Sequence, residues 1–215
     1  MPLQLIDRFN LQLRKEQQAA IDAGYLHKRD ELELLEDPQQ VRSLVVLSLL
    51  LFVVGGVFFV LLNIAAYIAH NSFAGGSIGA WGVISWFVIN IVIYIMVMFL
   101  HEGIHALAFA FWGGQPYFGA KLPVALFCGA KNQIFRRNQY LVVGLAPFVV
   151  ITVAGILFTL LSPALAVYTL FGTIGNFSGA AGDLWVAMRL WRQPPSVLVE
   201  DTETGYRVWE IVSSF

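Results

Sequence analysis

The chain has 215 residues, of which 58% are hydrophobic and 13% charged, with a formal net charge of −1 and a mean hydropathy of +0.70. Soluble domains carry about 25% charged residues, so this composition excludes a disordered chain, a nucleic-acid-binding protein and an ordinary soluble enzyme, and points to an integral membrane protein with several spans. The single cysteine, Cys128, excludes an intrachain disulfide framework and a cysteine-built zinc cluster.

From the N-terminus, residues 1–41 are polar and helix-forming, with a partly amphipathic start (Leu3, Leu5, Ile6, Phe9, Leu11). They read as a helical lead-in on the cytoplasmic side, lying on the membrane surface, against the body, or in solvent. Residues 42–192 read as the membrane core. Its apolar runs predict spans at about 42–69, 81–111, 139–161 and 164–190. Each exceeds the roughly 20 residues needed to cross about 30 Å of hydrocarbon. Between the second and third, residues 115–135 are apolar but punctuated by Gly and Pro, which predicts short strands or a re-entrant hairpin. Residues 193–215 form a tail in which Val197 and Val199, then Tyr206 and Val208, flank Glu203-Thr204-Gly205 and predict a small hairpin. The expected fold is therefore mainly α, a polytopic protein of four transmembrane helices with a short cytoplasmic β-hairpin or re-entrant segment.

The charges orient it. The thirteen Lys and Arg fall in three groups, six up to Arg42, four from Lys121 to Arg137 and three from Arg189 to Arg207, and none lies in the connections at 70–80 and 162–163. The positive-inside rule then places both termini in the cytoplasm of a cell whose inner membrane holds the chain. A first apolar run this long, after forty polar residues, is not a signal peptide.

Only two acids, Glu102 and Asp183, fall within the hydrophobic body. Residues 101–105 read His-Glu-Gly-Ile-His. On a helix, histidines at i and i+4 share a face one turn apart and can bind one zinc ion, with the glutamate placed to act as a base. A structural role for such a motif is disfavoured by the cost of burying its groups in a membrane helix. A zinc site generally takes three protein ligands. His70 lies in the first exterior connection and His27 in the lead-in, which leaves Asp183. Span 2 enters near Trp81 and span 4 near Ala164, and the two run in the same direction, so His101 and Asp183 fall at nearly equal depth. Asp183 otherwise snorkels to the interface or pairs with Arg189 or Arg137. Gly172, Asn176, Gly179 and Asp183 follow the spacing of one helical face, a stripe that admits a close neighbour. Asn176 is either a substrate contact near the metal or an interhelical anchor.

These residues resemble the small bacterial zincin peptidases of the membrane, which are similar to site-2 intramembrane proteases. The resemblance rests on His101-Glu102-Gly-Ile-His105, on Gly144-Leu-Ala-Pro147, on the stretch from Asn176 to Asp183 and on the Val-Glu-Asp-Thr-Glu-Thr-Gly-Tyr tail. It implies Zn2+ held by His101, His105 and Asp183, Glu102 as catalytic base, Asn176 in substrate binding, and a membrane protein or peptide as substrate. The stretch Asn-Phe-Ser-Gly-Ala-Ala-Gly-Asp-Leu departs from the site-2 pattern in lacking a proline before the Asp. Two other readings compete. One is a metal or proton transporter using the intramembrane His, Glu and Asp; the absence of a repeat and the clustering of these groups at one depth weigh against it. The other is a membrane adaptor with a vestigial metal site, against which an intact Glu102 argues.

Overall fold

The computed structural model describes residues 3–70, 79–121, 125–202 and 204–212. In chain order the elements are β1 (Gln4–Leu5), α1 (Leu11–Asp22), β2 (Leu26–Glu33), α2 (Pro38–Ala69), α3 (Ala80–Trp112), β3 (Tyr117–Lys121), β4 (Ala125–Gly129) and β5 (Gln133–Arg136). There follow α4 (Arg137–Leu161), α5 (Pro163–Ala166), α6 (Leu170–Gly179), α7 (Ala181–Trp191), β6 (Leu198–Asp201) and β7 (Gly205–Ile211). Three of the helices, α2, α3 and α4, are long and apolar enough to cross a membrane. They contain the first three expected spans. Rows of exposed apolar side chains run along them, such as Val45, Leu49 and Val53 on α2 and Val88, Val92 and Phe99 on α3. So much exposed apolar surface suits hydrocarbon and not water.

The fourth expected span differs. Residues 164–190 form not one helix but α5, α6 and α7, of which the longest has 11 residues. The Gly179-Ala180-Ala181-Gly182 run has no side chain large enough to hold a helix straight by packing, and α6 stops there, with the Ala180 N–H turned back to Asn176 and Ser178. The seven-residue helical spacing expected between Asn176 and Asp183 is therefore interrupted, since they sit on separate helices. The expected exterior connection at 70–80 lies, for residues 71–78, outside the described residues, as does Glu203 at the expected turn of the tail.

The chain divides into two compact units. One comprises Met1–Arg42, Glu102–Ala146 and Gly182–Phe215. Its centre is a five-stranded sheet of order β1-β5-β6-β7-β2, with β1 parallel to β5 and the other pairs antiparallel. The tail forms the expected hairpin, β6 with β7. The alternation of strand side chains sorts the apolar ones onto two faces. Phe135, Val199, Tyr206 and Val208 join Phe109, Tyr140 and Leu190 in the main core. Ile134 and Leu198 join Leu5 in a smaller cluster. Residues 115–135 do form short strands, and β3 and β4 make a separate two-stranded sheet. Residues 3–41, expected to be helical, contribute α1, the start of α2 and two strands. Strand β2 is an edge strand of charged residues held by cross-strand pairs, Arg29 with Glu210 at 2.8 Å and Arg207 with Glu31 at 2.5 Å. Hydrogen bonds from Lys28 and Arg207 hold the Glu31 carboxyl below its ordinary range.

The second unit comprises Ser43–His101 and Pro147–Ala181. Its irregular stretch between α4 and α6 would leave backbone carbonyls bare in an apolar setting, where each unsatisfied group costs several kcal/mol. Three polar side chains from α2 and α3 serve them. Asn63 donates to the Pro163 carbonyl at 3.0 Å, Trp86 and Asn90 donate to the Val167 carbonyl at 2.9 and 3.1 Å, and the Asn90 Oδ1 accepts from the Phe171 N–H. Glycines set the closeness of packing. A Cβ on Gly172 would stand 2.9 Å from Val97, and one on Gly175 would collide with the Tyr94 ring. Those two positions bring α6 against α3 within this unit.

Candidate metal centre

His101 and His105 both lie on α3, one helical turn apart, as the His-Glu-Gly-Ile-His spacing requires. Each ring is then fixed by a different partner. His101 Nδ1 lies 2.9 Å from Asn176 Oδ1, and His105 Nδ1 lies 2.9 Å from the Val143 carbonyl oxygen. A carbonyl or amide oxygen only accepts, so in both rings Nδ1 is the donor and carries the proton. Nε2 of each ring is then the atom that could face a metal ion.

Asp183 is the third member. Its Oδ1 stands 3.5 Å from His105 Nε2. Two ligands at about 2.05 Å from a tetrahedral zinc are separated by about 3.3 Å, so this spacing fits a shared ion better than it fits a hydrogen bond. Asp183 lies in the first turn of α7. Ligand atoms of His101, His105 and Asp183 all lie within 4.8 Å of one another, and among the described residues the three form a group that could hold a metal ion. His105 is buried, and the other two are half-buried. The donor set, two neutral imidazoles and one carboxylate, fits zinc.

Glu102 follows His101 directly and is half-buried. The remaining histidines are elsewhere: His27 sits on β2 opposite Glu210, and the His70 ring lies 3.0 Å from the Leu160 carbonyl oxygen. Asn176 supplies Oδ1 to His101, and its buried Nδ2 has no hydrogen-bond partner among the described residues.

Residues 94–198 match a family model described as "Putative zincin peptidase". The match takes in both histidines, Glu102 and Asp183, and it suggests a metallopeptidase and zinc as the metal. No curated protein and no solved structure matches the chain.

A second polar cluster belongs to the same unit as His105 and was not evident in the sequence. Asp201, at the end of β6, accepts from Tyr140 Oη at 2.6 Å and from the Ala130 N–H at 2.9 Å. Burial pushes the Asp201 carboxyl up to about 7, against the opposing pull of those two hydrogen bonds. The half-buried Cys128 thiol on β4 is pushed up to about 12, chiefly by burial, with the negative charges of Glu102 and Asp201 adding. A signal for Asp201 does exist in the sequence, an acid between the apolar Val197-Leu198-Val199 run and the turn. Nothing local connects it to Tyr140, 61 residues away.

Proposed function

We propose that the protein is a zinc-dependent intramembrane or juxtamembrane protease that cuts membrane-associated proteins or peptides. The observation that carries this reading is the placement of the Asp183 carboxylate 3.5 Å from His105 Nε2, with both histidines' Nδ1 atoms engaged elsewhere. His101, His105 and Asp183 would hold the zinc, which when bound supplies a Lewis acid that polarises the scissile carbonyl and acidifies water. Glu102 takes the proton of the attacking water and returns it to the leaving amine. Asn176 orients His101 through Oδ1, and its buried Nδ2 has a proton to offer a substrate carbonyl. The edge of the β3–β4 sheet offers the backbone of an extended substrate new hydrogen-bond partners. The charge asymmetry of the sequence supports cytoplasmic termini, with α5, α6 and α7 together making a broken fourth crossing.

The test compares metal content and cleavage of a co-expressed single-span substrate library for wild type and three variants. Glu102→Gln should keep zinc and membrane insertion while losing about 10⁴-fold in cleavage, the upper end for a general base. His101→Ala and Asp183→Ala should lose zinc and cleavage together. Full zinc in Asp183→Ala, or undiminished cleavage by Glu102→Gln, would overturn the assignment of roles. A wild type that cuts nothing while changing ion flux would return the transporter reading.

A further inference from the structure

We propose that Pro147 is a positioning residue for the metal centre: by withholding a backbone donor within α4, it reserves the Val143 carbonyl for His105. The proposal rests on the metal reading above and goes a step further, to the question of what aims the second histidine.

In an α-helix the carbonyl of residue i accepts from the N–H of residue i+4. For Val143 that residue is Pro147, which has no N–H. Its ring also crowds the carbonyl four residues back and tilts it off the helix axis. Helix α4 neither ends nor begins there; it continues to Leu161. Proline is the least favourable residue for a helix interior, and the helix gains nothing local from it. Val143 is buried, so its carbonyl needs a donor from somewhere. The donor is His105 Nδ1, at 2.9 Å. The same contact fixes the ring's tautomer and turns Nε2 toward Asp183.

The two histidines are thus held by different means. His101 has a side-chain acceptor, Asn176 Oδ1, which an ordinary substitution removes. His105 has a main-chain acceptor, and the position that controls its availability is 147. The Gly144-Leu-Ala-Pro147 run acquires a specific meaning: it places a proline four residues after the carbonyl that the site uses.

The experiment uses the full chain in detergent micelles, with Pro147→Ala and Pro147→Gly. Both restore the missing N–H, and they differ in helix propensity, so an effect common to both follows the donor and not the stiffness of α4. The first readout is the His105 tautomer in metal-free protein, from ¹⁵N-histidine spectra assigned by difference from His105→Gln. The second is zinc affinity by competition with a chromophoric chelator. Both variants should lose the dominance of the Nδ1–H form and bind zinc about tenfold more weakly, the lower end for loss of an orienting partner. Pro147→Ala should melt at or above the wild-type temperature while doing so, which separates lost orientation from lost folding. Wild-type tautomer and wild-type affinity in both variants would overturn the proposal. A wild type that takes up no zinc would sink the metal reading, and the tautomer comparison would still decide the role of Pro147.

Discussion

Asp201 offers a perturbation whose magnitude can be worked out in advance. Burial pushes its carboxyl up to about 7 in the folded protein against an ordinary 3.8, because it penalises the charge more than Tyr140 and Ala130 favour it; Glu200 adds to the rise. A raised acid means that the folded state holds a proton that the unfolded state releases, so this carboxyl's contribution to stability is fully present below pH 4 and is lost as pH rises through 7. At 1.36 kcal/mol for each factor of ten, the full fall is about 4 kcal/mol. Asp201→Asn should abolish it. The amide oxygen can accept from the Ala130 N–H, the amide nitrogen can donate to Tyr140 Oη, and the Tyr140 proton can turn to the Gly205 carbonyl, 3.4 Å away. Asp201→Ala has no such remedy and strands two buried polar groups, at about 1–3 kcal/mol each. The assay is reversible unfolding in mixed micelles at pH 4, 5.5, 7 and 8, read as variant minus wild type so that the other acids cancel. Asn should match wild type at pH 4 and exceed it by up to about 4 kcal/mol at pH 8, while Ala should fall below Asn throughout. A wild type and an Asn variant with the same pH slope would show that the carboxyl is hydrated and titrates normally, and the buried network would lose its basis.

Two further outcomes follow from close approaches and charge. A Cβ at Gly205 would run into the Leu32 carbonyl oxygen across the β2–β7 pair, so Gly205→Ala should loosen β2 from the sheet, read as faster amide exchange in Leu32 and Leu34 with little change at Ile134. The Cys128 thiol, at about 12, should be alkylated far more slowly than a free thiol at pH 8. Because the Glu102 charge adds to that rise, Glu102→Gln should speed the alkylation modestly, and an unchanged rate would place the Glu102 charge out of reach of β4.

What the sequence discloses depends on whether the cause is local. The three long helices were legible because an apolar run of the right length is itself the cause of a membrane helix. The His-Glu-Gly-Ile-His motif was legible because i and i+4 meet on any helix. The hairpin of β6 and β7 was legible from alternation around one turn. Strand β2 was not, because His-Lys-Arg-Asp-Glu-Leu-Glu has no apolar alternation; its partners Arg207 and Glu210 are supplied by the far end of the chain. Counting residues put His101 and Asp183 at one depth along a single fourth helix, and that helix is broken at Ala180.

The break itself bears on how the centre works. In one straight helix, Asn176 and Asp183 would sit about 10 Å apart along the axis, and both would be placed by the same packing. Split between α6 and α7, Asn176 sits with His101 and Asp183 with His105. Ending α6 at Gly179 also puts Asp183 in the first turn of a new helix, where the N-terminal dipole attracts negative charge. The small residues at 179–182 thus do something that the small-residue stripe, read as a packing surface, did not suggest. They end one helix and start another just ahead of Asp183.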